Sequence, residues 1–71
     1  MNQAKLVERI VFSDSAGKEM KKIRLKKNIK QKELAKKLGI TQSTLSDYEA
    51  GRRKNPGTNY VKRFVEEIQN K

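Results

Sequence analysis

Cysteine and histidine are both missing from these 71 residues. Their absence excludes disulfides, thiolate nucleophiles, imidazole bases and ordinary zinc sites. A chain this short forms one domain and buries only a modest share of its surface, which leaves no space for a catalytic cleft between subdomains. An enzyme is therefore not expected, and no cofactor, metal or small-molecule ligand is implied. Long apolar runs are missing too. None approaches the ~20 residues that span a bilayer, and the first residues lack the apolar core of a signal peptide, so the expected location is the cytoplasm.

Negative charge is also scarce. Eight Asp and Glu oppose eighteen Lys and Arg, a net charge of +10. So large a surplus on so small a body makes a polyanion the natural partner, with nucleic acid ahead of an anionic membrane surface. A merely solvated surface would spread both signs evenly. Instead, Lys18, Lys21, Lys22, Arg24, Lys26, Lys27, Lys30, Lys32, Lys36 and Lys37 fall in one stretch beside only Glu19 and Glu33, while Glu66 and Glu67 sit together near the far end.

What is present centres on Gln31 to Gly51, QKELAKKLGITQSTLSDYEAG. Leu34, Ala35 and Leu38, then Leu45 and Tyr48, each form an apolar stripe at helical spacing, which predicts two short helices. Between them Gly39 supplies the left-handed residue that ends a helix, Ile40 plugs the corner, and Thr41 offers an oxygen to cap the next helix. Two helices joined by so tight a turn cross steeply, as in the helix-turn-helix whose second helix lies in the DNA major groove.

The same stretch resembles the helix-turn-helix of the phage Cro and repressor family (XRE-like). The resemblance is carried by the Gln31 start, the Glu33-Leu34-Ala35 triplet, Gly39, Gln42 and the Glu49-Ala50-Gly51 ending, and it extends from about Gly17 to Phe64. It implies an all-α, lambda-repressor-like bundle of four to five helices. It also implies that Gln42, Ser43 and Asp47, with Ser46 beside them, face DNA bases, and that Arg24 of the preceding helix pairs with Glu49. Glutamine can bond adenine bidentately, and serines let a helix approach base edges. Asp47 departs from the usual neutral residue; it accepts from cytosine N4, orients a neighbouring cation, or marks a shallower fit. Phosphate contacts are expected at Gln31, Lys32, Thr41 and Thr44, and at Arg52, Arg53, Lys54 and Asn55 after the recognition helix; such contacts carry affinity rather than sequence information. Lys30 stands where the family often has a small capping residue.

The flanks are less specific. Leu6, Val7, Ile10 and Val11 have helical spacing, although the β-branched Ile10-Val11-Phe12 ending also suits a strand; a helix over about 4–11 is the preferred reading. Ser13 to Gly17 form a polar break, so residues 1–16 read as an N-terminal extension, a core cover or dimerisation element, and 17–71 as the helix-turn-helix domain. In the next helix Met20, Ile23 and Leu25 supply apolar contacts, and Lys18, Lys22 and Lys26 form a like-charged i+4 row, mildly destabilising unless an anion or packing offsets it. Asn28 ends that helix and Ile29 anchors the loop. A last helix from about Thr58 to Asn70 closes the core with Tyr60 or Val61, Phe64, Val65 and Ile68. The Gly51 to Gly57 run and the Ile10-Val11-Phe12-Ser13 ending also look like archaeal regulators carrying this domain, which would make the chain a stand-alone version.

The function expected is that of a transcription regulator, a repressor, bound as a homodimer to a palindromic site on double-stranded DNA. The competing readings are a protein-binding adaptor, coactivator or antitoxin built on the same fold. RNA is a lesser alternative, since the sequence offers no exposed aromatic platform.

Overall fold

The computed structural model describes residues 3–69. Five helices follow in order: α1 (Gln3–Val11), α2 (Ala16–Lys26), α3 (Gln31–Leu38), α4 (Gln42–Ala50) and α5 (Thr58–Gln69), with no strand among the described residues. The ambiguous leading segment is thus helical. Leu6 and Ile10 are buried and Val7 and Val11 partly so, which uses the helical stripe in full, whereas Phe12, just past the helix end, is 83% exposed. Asn70, expected to end the last helix, lies outside the described residues.

Three successive helices end in the same way. After α3, Gly39 takes φ +72°, its N–H donates to the Lys36 carbonyl, and the Ile40 N–H reaches the Ala35 carbonyl at 3.0 Å. That pair of bonds is the Schellman motif, and it satisfies carbonyls the helix leaves open. Around Asn28, a non-glycine residue at positive φ (59°), Asn28 and Ile29 donate to Leu25 and Arg24; around Gly51, Gly51 and Arg52 donate to Tyr48 and Asp47. In two of the three the residue after the left-handed position is an isoleucine turned inward, Ile29 buried and Ile40 packed on the core. The caps that open helices are Ser15 for α2, whose Oγ accepts from Lys18 N at 3.4 Å, and Thr41 for α4, whose Oγ1 accepts from Thr44 N at 3.1 Å.

One core collects residues from every helix: Leu6 and Ile10, Ala16 and Met20, Leu34 and Ala35, Leu45, then Val61, Phe64, Val65 and Ile68, with Ile29 from a loop. Full burial of each large side chain is worth roughly 1.5–3 kcal/mol. Leu25, expected among the apolar contacts, is 53% exposed. It lies two residues from Ile23, about 200° round the helix, so both cannot face inward and Ile23 takes the core side.

α1 lies along α5, while α4 packs between α2 and α3. The α2–α4 crossing is close because Gly17 is there: a Cβ at that position would stand 1.8 Å from the Tyr48 carbonyl oxygen.

Candidate nucleic-acid interface

α4 is buried along one edge by Leu45 and Glu49 and open along the other. Gln42 and Ser43 are exposed, and Thr44, Ser46 and Asp47 are half-buried. The polar positions expected to face DNA therefore share the outward side of a helix whose inner side is fixed by packing. What holds that edge is a chain of hydrogen bonds leading in from it. Gln42 Nε2 donates to Gln31 Oε1 at 3.1 Å, and Gln31 Nε2 donates to Glu49 Oε1 at 2.9 Å. Glu49 in turn accepts from Arg24, Nε to Oε2 at 2.7 Å and Nη2 to Oε1 at 3.1 Å, and Arg24 Nη1 caps the Ile29 carbonyl at 2.7 Å.

Both charges of the pair are buried, Arg24 at 7% and Glu49 at 5% exposure. Two parallel bonds, a third to a carbonyl and the Gln31 amide satisfy the groups that burial strips of water, the condition under which a buried ion pair is tolerated. Gln31 is engaged at both ends of its amide within the protein, with one N–H not used by these bonds. Lys30, as N-cap of α3, makes no side-chain cap bond.

The second negative charge on α4 is also matched. Asp47 Oδ1 accepts from Arg52 Nε at 2.9 Å, so of the three roles open to Asp47 the structure displays the orienting of a neighbouring cation. Arg52 retains four N–H donors beyond this bond. The next residue, Arg53, places its Cζ 5.2 Å from the centre of the Tyr48 ring, a cation–π contact, and Tyr48 packs on Tyr60 at 5.1 Å between centroids. Arg52 and Arg53 are thereby drawn to α4 rather than away from it.

Lys54 and Lys32 are exposed and form no ion pair among the described residues. Asn55 is exposed overall, yet its Oδ1 accepts from Ala16 N at 3.2 Å and ties the cationic loop to the start of α2. Thr41 Oγ1 donates to Thr44 Oγ1 at 2.9 Å, so its hydroxyl is committed to the cap while that of Thr44 remains a donor. The Tyr60 hydroxyl is buried without a hydrogen-bond partner among the described residues. Desolvation, then the nearby Tyr48 and Glu49, push its pKa up to about 12.

Sequence reasoning missed four of these features: the Gln42–Gln31–Glu49 link, the Arg53–Tyr48 contact, the Asn55 tether and the Gly17 approach. Only Gly17 carried a signal, since a glycine inside a helix costs up to about 1 kcal/mol relative to alanine and marks a packing or functional need. Among the described residues no group of three or more His, Cys, Asp or Glu is placed to hold a metal, and no helix is long and apolar enough to cross a membrane.

Two helices joined through Gly39, the second carrying an open polar edge beside a cationic loop, define a helix-turn-helix domain. The chain belongs to the helix-turn-helix family, whose model matches residues 20–69. It is 54% identical over 56 residues to an uncharacterized HTH-type transcriptional regulator of Methanocaldococcus jannaschii, covering 79% of this chain and 23% of that protein. A second uncharacterized HTH-type transcriptional regulator, from Archaeoglobus fulgidus, is 52% identical over 56 residues, 79% of this chain and 24% of its own length. The chain thus spans about a quarter of the length of these curated relatives. No solved structure was found to match it.

Proposed function

We propose that this domain is a DNA-binding transcription regulator that lays α4 in the major groove of a duplex. The observation that carries the reading is the open edge of α4, with Arg52 held against it by Asp47 and the exposed Arg53 and Lys54 following in the same loop, and with the charges of Asp47 and Glu49 each matched by an arginine. A helix so neutralised can approach phosphates that would repel a bare carboxylate. Gln42, Ser43 and Ser46 present donors and acceptors to base edges, with the remaining Asp47 oxygen beside them. Gln31, Lys32, Thr41, Thr44, Arg52, Arg53, Lys54 and Asn55 set the register on the backbone. The role is binding rather than catalysis, in the cytoplasm.

One domain touches only a few base pairs, so useful discrimination calls for a homodimer on a palindromic site with half-sites about one helical turn apart. Occupying such a site makes repression the simplest outcome. Residues 17–71 form the helix-turn-helix domain in this reading and residues 1–16 an N-terminal extension, whose α1 packs on α5. Selection from random duplexes, followed by anisotropy titrations at several salt concentrations, tests this. A palindromic consensus is expected, with log K falling about 5 per log unit of salt if some five or six phosphates are neutralised. Failure to bind any duplex at low salt refutes the reading.

A further inference from the structure

Lys18 of the α2 lysine row lies beside Gly51 at the end of α4, but Lys22 and Lys26 are not used by the surface just described. Successive residues turn by about 100°. Gly17 and Arg24, which face α4, therefore lie within about 20° of each other, and Lys22 and Lys26 stand about 140° and 180° away from Gly17. They rim a groove of about 370 Å³ between α1, α2 and the end of α5. Its floor is formed by Leu6 and Ile68, both buried in the core, the half-buried Ile23 is its more open apolar side, and Lys27 extends the cationic rim. The carboxylate on this groove, Glu19, is held by Arg9 at 2.7 Å, while Lys22, Lys26 and Lys27 are exposed and pair with no acid among the described residues.

We propose that this groove docks an acidic amphipathic helix of a protein partner while α4 remains free for its own ligand. The apolar walls give a buried place to side chains spaced i, i+3, i+4 and i+7, and the lysines select glutamate or aspartate flanking them. A second duplex satisfies only half of the site: it matches the cations but has no apolar side chains to set against Leu6, Ile23 and Ile68. The assignment does not depend on what α4 reads, because the two faces lie on opposite sides of α2.

The test uses the full chain and a fluorescein-labelled synthetic peptide with leucine at i, i+3, i+4 and i+7 and glutamate elsewhere. The same peptide with serine for leucine is the control, and duplex titrations run in parallel on the same samples. Saturable binding of the leucine peptide is expected, undisturbed by duplex and weakened about tenfold or more by Lys22→Glu with Lys26→Glu. Circular dichroism checks that this variant folds, and Lys22→Gln with Lys26→Gln replaces it if it does not. Equal binding of the serine peptide overturns the proposal, as does no binding. Displacement of the peptide by duplex, or a loss of duplex affinity in the lysine variant as large as that of Arg52→Ala with Arg53→Ala, assigns the rim to nucleic acid instead.

Discussion

Replacing Arg24 by alanine tests the polar centre of the domain most directly. The substitution leaves Glu49, 5% exposed, without its bidentate partner and opens the Ile29 carbonyl as well. Breaking a buried pair from one side costs about 3–5 kcal/mol, because a charge is left in low dielectric unpaired. A 71-residue domain has roughly 4–10 kcal/mol in all. The variant is therefore expected to lose about a third or more of the domain's stability, with a urea midpoint lowered by about 2–4 M at the slope usual for small proteins. Urea titration followed at 222 nm reads this. Arg24→Met with Glu49→Leu removes both charges together and is expected to recover much of the loss, since apolar replacement of a buried pair is often neutral or better. A midpoint for Arg24→Ala within about 0.5 M of the parent, or a double variant no better than the single one, would falsify the electrostatic account.

Gly17→Ala pushes a methyl against the Tyr48 carbonyl, and the backbone contact gives it no side chain to displace; a loss near the upper end of overpacking costs, about 3 kcal/mol, is expected by thermal melting. Tyr60→Phe removes a buried hydroxyl that has no partner among the described residues and is expected to hold or raise stability. Because the Tyr60 pKa is raised from 10.0 to about 12 in the fold, the unfolded chain loses this proton first, so ionisation costs the fold nothing below pH 10 and lowers its stability as pH climbs toward 12. The alkaline decline of the urea midpoint should therefore be shallower in the phenylalanine variant, and tyrosine absorbance should show one late-titrating group. Gln31→Ala frees Gln42 and leaves Glu49 Oε1 to Arg24 alone; a larger loss in preferred-site than in random-duplex affinity is expected from competition binding, and equal losses at both would count against a positioning role.

The fold is largely legible in the sequence because its signals are local. Gly39, Asn28 and Gly51 each end a helix where the backbone turns left-handed, and Thr41 caps where its hydroxyl can reach back. Helical spacing likewise marks Leu34, Ala35, Leu45, Phe64 and Ile68 as core. Leu25 departs from expectation because a stripe read by hydropathy alone does not say which of two competing residues meets a neighbour. The outward edge of α4 follows from the same periodicity, and Arg24 with Glu49 from the family resemblance. The partners of Gln31, Asn55 and Arg53 are beyond its reach. Each contact joins elements distant in sequence or a loop to a helix, and a polar residue there has no periodic mark of what it will touch.

The helix that precedes the family match has an awkward status. Residues 20–69 are what the family model matches, yet Ile10 is wholly excluded from solvent and Leu6 nearly so. A boundary set by kinship would cut through the oil of the molecule rather than through its seams. Anyone excising the reading head for grafting onto another scaffold must carry the first dozen residues with it, or supply something greasy in their place.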